Sequence, residues 1–183
     1  MKYLIGLLVT IGLIILLIVL LVTGGSKSKV PHTSQSLSSY SNDDQALVRL
    51  TVDGPINSPQ DHRATRITVS RDSTVYEQLK GYNGEVVNLK TFPNTQTSYL
   101  SFLRSIELAG FTRGDTSAAL TNDRGHCPLG SRYIFEIEDH GKQLERFWST
   151  SCSGPKSFQG SANLIISLFR MQVPGFYNQN RFL

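Results

Sequence analysis

Cys127 and Cys152 are the only cysteines in the chain, and they could support three chemistries. They can form a disulfide, help hold a metal, or supply a thiolate nucleophile. A metal site would recruit His126 and His140 beside Cys127. The paired Cys-x-x-Cys or His-x-x-x-His spacing of zinc sites is missing. A Cys–His nucleophile would leave Cys152 without a role. The disulfide is therefore the expected state, ahead of these two and of a pair of unpaired buried thiols, and no metal or cofactor is expected.

The other reactive residues are dispersed. Glu136 and Glu138 lie two apart on one strand face, as acid–base carboxylates can. They alternate with Phe135 and Ile137, which reads as a solvated sheet face. Glu145 and Arg146 are expected on the neighbouring strand's surface, able to pair across it. Arg113-Gly114-Asp115 spells an integrin-type adhesion tripeptide, a pattern short enough to recur by chance. His32 and His62 fall in loops with no partner in view, and Trp148 reads as core or sheet-face packing. Gly-x-Ser-x-Gly, His-Glu-x-x-His, a phosphate loop and a dinucleotide fingerprint are all missing. No catalytic residue is expected.

The elements that must position the cysteines are two strong strands, Arg132-Tyr133-Ile134-Phe135-Glu136-Ile137-Glu138 and Leu144-Glu145-Arg146-Phe147-Trp148-Ser149-Thr150. Asp139-His140-Gly141-Lys142 between them is a hairpin turn. Cys127 and Cys152 share a midpoint between Asp139 and His140, within about one residue of that turn. The strands should thus set the cysteines opposite each other at the hairpin base. Closing this loop would stabilise by roughly 3 kcal/mol in the chain-entropy model.

Upstream, Val48, Leu50 and Val52 alternate on one strand, and Ile67 and Val69 on a second. Residues 75–79 are ambiguous. Glu85-Val86-Val87-Asn88-Leu89-Lys90 reads as a further strand. After Pro93 the period becomes helical. Asn94 or Thr95 caps a helix whose face carries Tyr99, Leu100, Phe102, Leu103, Ile106 and Ala109, and Gly110 ends it. A second helix over residues 161–173 carries Leu164, Ile165, Leu168, Phe169 and Gln172, and Pro174 stops it. The expected fold class is α+β, an antiparallel sheet of about five strands with two helices on one face, over residues 46–183.

Residues 3–22 carry no charge, and all but Gly6, Thr10 and Gly12 are apolar. Such a stretch of helix spans roughly 30 Å, a bilayer's hydrocarbon core. The run is longer than a signal-peptide core and lacks Ala-x-Ala after it. No cysteine follows for lipid attachment, and no acid occurs before Asp43, as a pilin leader would need. Residues 1–23 read as a retained transmembrane signal anchor, and residues 24–45, rich in Ser and Gly, as a flexible linker. Lys2 on one side and Lys27 and Lys29 on the other are the membrane-interface cations, nearly tied for orientation. The disulfide breaks the tie, because it requires an oxidising compartment. The N-terminus is expected inside and the domain outside the cell membrane.

The net charge of +4 does not point to nucleic acid. From residue 30 onward 15 Lys and Arg face 14 Asp and Glu, and the arginines form no stripe.

The stretch Arg124-Gly125-His126-Cys127-Pro128-Leu129-Gly130-Ser131-Arg132-Tyr133-Ile134-Phe135-Glu136, with Phe147-Trp148 before Cys152 and Gln172-Val173-Pro174, resembles uncharacterised, N-terminally anchored proteins of the Saccharibacteria lineage. The resemblance covers most of the chain, including the apolar start and Val30-Pro31. It implies a bacterial envelope protein and transfers no activity or site. The expected function is a single-pass envelope protein presenting a disulfide-stapled domain to a protein partner, a wall polymer or an assembly. Two alternatives remain: an envelope hydrolase or peptide-processing enzyme, favoured by a pocket joining His126, His140 and a carboxylate, and a structural subunit of a membrane complex.

Overall fold

Alternating residues along β-strands give the sheet one apolar face, with Val48, Leu50, Ile67, Val69, Phe135 and Ile137, and one charged face. The computed structural model describes residues 11–16 and 35–179. The strands are β1 Leu47–Asp53, β2 Arg63–Ser70, β3 Ser73–Lys80, β4 Glu85–Pro93, β5 Arg132–Asp139 and β6 Lys142–Thr150. They form one antiparallel sheet in the order β4-β3-β2-β1-β5-β6. The count is six rather than about five. The strand not expected is β3, where Tyr76 is buried on one face and Leu79 on the other. Apolar residues on both faces leave no clean alternation to read.

Val48, Leu50, Ile67, Val69, Tyr76, Phe135, Ile137 and Phe147 form a core with two helices, α1 Gln96–Leu108 and α2 Ala162–Met171. Helix α1 starts where the Thr95 side chain accepts from the Ser98 N–H at 3.2 Å. At its other end Gly110 adopts φ 84°, and the N–H groups of Gly110 and Phe111 donate to Glu107 and Ile106. That is a Schellman ending, and it folds Phe111 into the core. On α2 the buried face is Ile165, Ile166 and Phe169, whereas Leu164 is exposed. A short helix, α3 Phe176–Gln179, follows.

The chain divides into two compact units, Met1–Thr33 and Ser34–Leu183. In the first, residues 11–16 are helical. No helix among the described residues is long and apolar enough to cross a membrane. The expected span 3–22 lies outside those residues except for 11–16, as do Lys2, Lys27 and Lys29. The second unit begins earlier than residue 46. Leu37–Asn42 form a 3-10 turn, Leu37 is buried in the core, and its N–H donates to Glu107 at 3.1 Å. A single leucine among serines supplies that anchor.

Arg113-Gly114-Asp115 is built into the fold. Gly114 bridges Phe158, and the Asp115 N–H donates to Ser157 at 2.7 Å. A Cβ on Gly114 would overlap the Phe147 ring, so only glycine fits. The backbone of the tripeptide is thus tied to residues 157–159, while the Arg113 side chain is exposed.

Glu145 sits on the core side of edge strand β6, paired with Ile137. Burial pushes its carboxyl up to about 7, and Oε2 has no hydrogen-bond partner. An acid raised in the folded state contributes stability that is fully present below its unfolded pKa. That contribution is lost as pH rises through the folded value. Glu145→Gln should therefore unfold at higher urea than the parent at pH 8. The gain, about 1 kcal/mol after discounting a half-buried group for screening, should vanish near pH 4.

Candidate binding cleft

The sheet face away from the helices carries charge placed by strand register. Arg49 pairs with Glu138 at 3.2 Å and Glu136 at 3.8 Å, Arg66 with Glu77 at 3.6 Å, and Arg146 with Glu136 at 3.6 Å. Three of these pairs are direct cross-strand partners. Glu136 and Glu138 thus lie on a polar face as expected, but they serve as counter-ions. Arg146 does pair across the sheet, whereas Glu145 points to the other side.

Strand direction brings three connections to one end of this face: residues 54–62 between β1 and β2, 81–84 between β3 and β4, and 121–131 before β5. They wall a cleft of about 730 Å³, floored by Thr51, Ala64, Arg66, Leu79 and Ile134. This is the size of many small-molecule sites. The N-terminal segment enters the sheet at the opposite end, where β1 begins.

The wall at 121–131 is pinned from several sides. Trp148 is fully buried, and its Nε1–H donates to the Leu120 carbonyl at 2.6 Å. His126 stacks on the Trp148 indole at 4.7 Å. Arg146 donates to Asp123 at 2.6 Å, and the Ile56 N–H donates to the Pro128 carbonyl at 2.7 Å. Cys127 and Cys152 form the expected disulfide, with Cα atoms 5.6 Å apart. Their register differs from the expectation. The β5–β6 ladder centres on His140 and Gly141, and extending it places Gly130, not Cys127, opposite Cys152. The chain doubles back through a turn in which the Gly130 N–H donates to the Cys127 carbonyl at 3.1 Å. A side chain at Gly130 would run into Ser151 and both sulfurs.

The opposite wall holds a buried ion cluster. Asp53 accepts from His62 Nε2 at 2.8 Å through one carboxylate oxygen and from the Arg132 guanidinium through the other. His62 Nδ1 lies 3.1 Å from the Pro55 carbonyl. His62 is 3% exposed, and the Tyr82 ring stacks on it at 4.2 Å. The Tyr82 hydroxyl donates to the Asn57 carbonyl at 2.8 Å and accepts from the Asn57 N–H at 3.0 Å. Both nitrogens of His62 thus face oxygen atoms of the protein. A general base must turn an open nitrogen to its substrate. Both His62 nitrogens are engaged, so it serves as structure.

No family model, curated protein or solved structure matches this chain. The cleft's chemistry is therefore argued from its own residues.

His126 and His140 do not share a pocket. His126 lies on Trp148 at the cleft end, and His140 forms the β5–β6 turn at the other, with φ 49°. Asp139, His140 and Asp43 place ligand atoms within 4.8 Å of one another on the surface. The hydrogen bond and charge of Asp139, followed by Asp43, raise the His140 pKa. The His140–Asp139 hydrogen bond at 2.7 Å, with Asp43 alongside, accounts for that cluster.

His62 was expected to have no partner, and instead it is the centre of the cluster. The signal was available. Asp53 and His62 flank one loop, and reading β1 and β2 as a hairpin sets them side by side.

Proposed function

We propose that this chain is a single-pass protein of the bacterial cell envelope, with its N-terminus in the cytoplasm and a disulfide-stapled binding domain outside the membrane. Residues 3–22 would span the bilayer, Lys2, Lys27 and Lys29 would meet headgroups, and the cleft would meet a partner in the envelope. The observation that carries this reading is the Cys127–Cys152 disulfide beside the cleft, since such a bond persists in oxidising compartments. Binding is favoured over hydrolysis because both His62 nitrogens are occupied and His126 and His140 are at opposite ends.

Alkaline extraction of membranes tests the anchor. The full chain should stay with the membrane, and a variant lacking residues 3–22 should be released. Release of the full chain by alkali would overturn the proposal.

A further inference from the structure

We propose that the cleft binds the oxyanion of a carboxylate- or phosphate-bearing small molecule, with Arg66 on the floor and Arg124 on the rim as its two ligating cations; this rests on the binding reading above. Four arginines, 66, 124, 132 and 146, line the cleft against two carboxylates, Asp53 and Asp123. Both carboxylates are already taken. Arg132 and His62 occupy Asp53, and Arg146 occupies Asp123. No cleft carboxylate is left for Arg124 or for Arg66, whose counter-ion is Glu77 on the neighbouring strand.

Arg66 is the decisive residue. Its Nε–H is buried and has no hydrogen-bond partner, and its one acidic neighbour, Glu77, stands 3.6 Å from NH1 rather than in a fork. Nε is closed to solvent, but the side chain keeps 35% of its surface exposed, so an oxyanion in the cleft would meet that exposed part and add charge-assisted hydrogen bonds that the 3.6 Å contact with Glu77 leaves unmade. Arg124 is exposed at the mouth and has no carboxylate within ion-pairing distance among the described residues. Its guanidinium can meet a ligand without first breaking a pair. Tyr82 and Ile56 add apolar surface beside these cations, which suits a ligand with a ring or carbon body behind its charged group.

The test compares three sugars that share a ring: glucose, glucuronate and glucose 6-phosphate. Each is titrated by amide NMR into the full-length protein in a non-ionic detergent. A charged sugar should shift the amides of residues 54–62, 81–84 and 121–131 saturably, about tenfold more tightly than glucose. Which charged sugar binds distinguishes carboxylate from phosphate. Arg66→Gln should weaken that binding by about tenfold. Arg124→Gln, on an exposed side chain that cannot unfold the domain, should weaken it several-fold. Glucose binding in the cleft as tightly as the charged sugars would overturn the oxyanion class while leaving the binding reading intact. Shifts that fail to saturate, or that spread over lysines away from the cleft, would overturn the site.

Discussion

Trp148→Ala should lower the unfolding free energy by about 3–5 kcal/mol, the range for deleting a fully buried aromatic. Trp148 lies on the charged side of the sheet, where a large apolar ring would be exposed if loop 115–131 did not cover it. Here the loop and the indole bury each other. Leu120 accepts from Nε1 and His126 stacks on the ring, so truncation removes apolar burial and a hydrogen bond together. Trp148→Phe separates the two. It keeps most of the burial and leaves the Leu120 carbonyl unpaired, and should cost about 1–2 kcal/mol. Urea unfolding followed by far-UV circular dichroism measures both, since Trp148 is the only tryptophan and the variants lose its fluorescence. Equal losses in both variants would show that packing of the ring contributes little.

Replacing both cysteines with serine should cost about 3 kcal/mol, because the cross-link spans 25 positions and restricts the unfolded chain. The local effect is more informative than the total. The disulfide fastens the loop that carries Asp123 and Arg124, so its loss should speed amide exchange over residues 121–131 while β1 and β2 stay protected. Reducing the parent protein should reproduce the serine variant in both respects. Uniform loosening across the sheet would instead mean that the bond supports the domain as a whole.

Much of the framework was legible because its residues carry local signals. Strand β1 and residues 135–138 of β5 alternate cleanly, His140 and Gly141 mark the hairpin, and Thr95 and Gly110 punctuate α1. Strand β3 was not legible, because the core covers Tyr76 while the cleft side covers Leu79, and two-sided burial erases the period. Leu37 was hidden among serines whose composition reads as linker. The cleft was the least visible feature. Its central ion cluster joins Asp53 and His62 to Arg132, 79 positions from Asp53, and no short motif carries such a set. Pairing of β1 with β5 assembles it. The cysteine pairing was correct although its assumed register was three positions off, since a turn at residues 127–130 absorbs the difference.

The most direct test of the central claim is thiol labelling of Cys127 and Cys152 in intact cells with a membrane-impermeant maleimide, before and after reduction. A disulfide-stapled domain outside the membrane predicts no labelling at first and full labelling of both cysteines after an impermeant reductant. Thiols that are unreactive in intact cells under both conditions and label only after lysis, without reductant, would contradict it, placing the domain in the cytoplasm with its cysteines reduced.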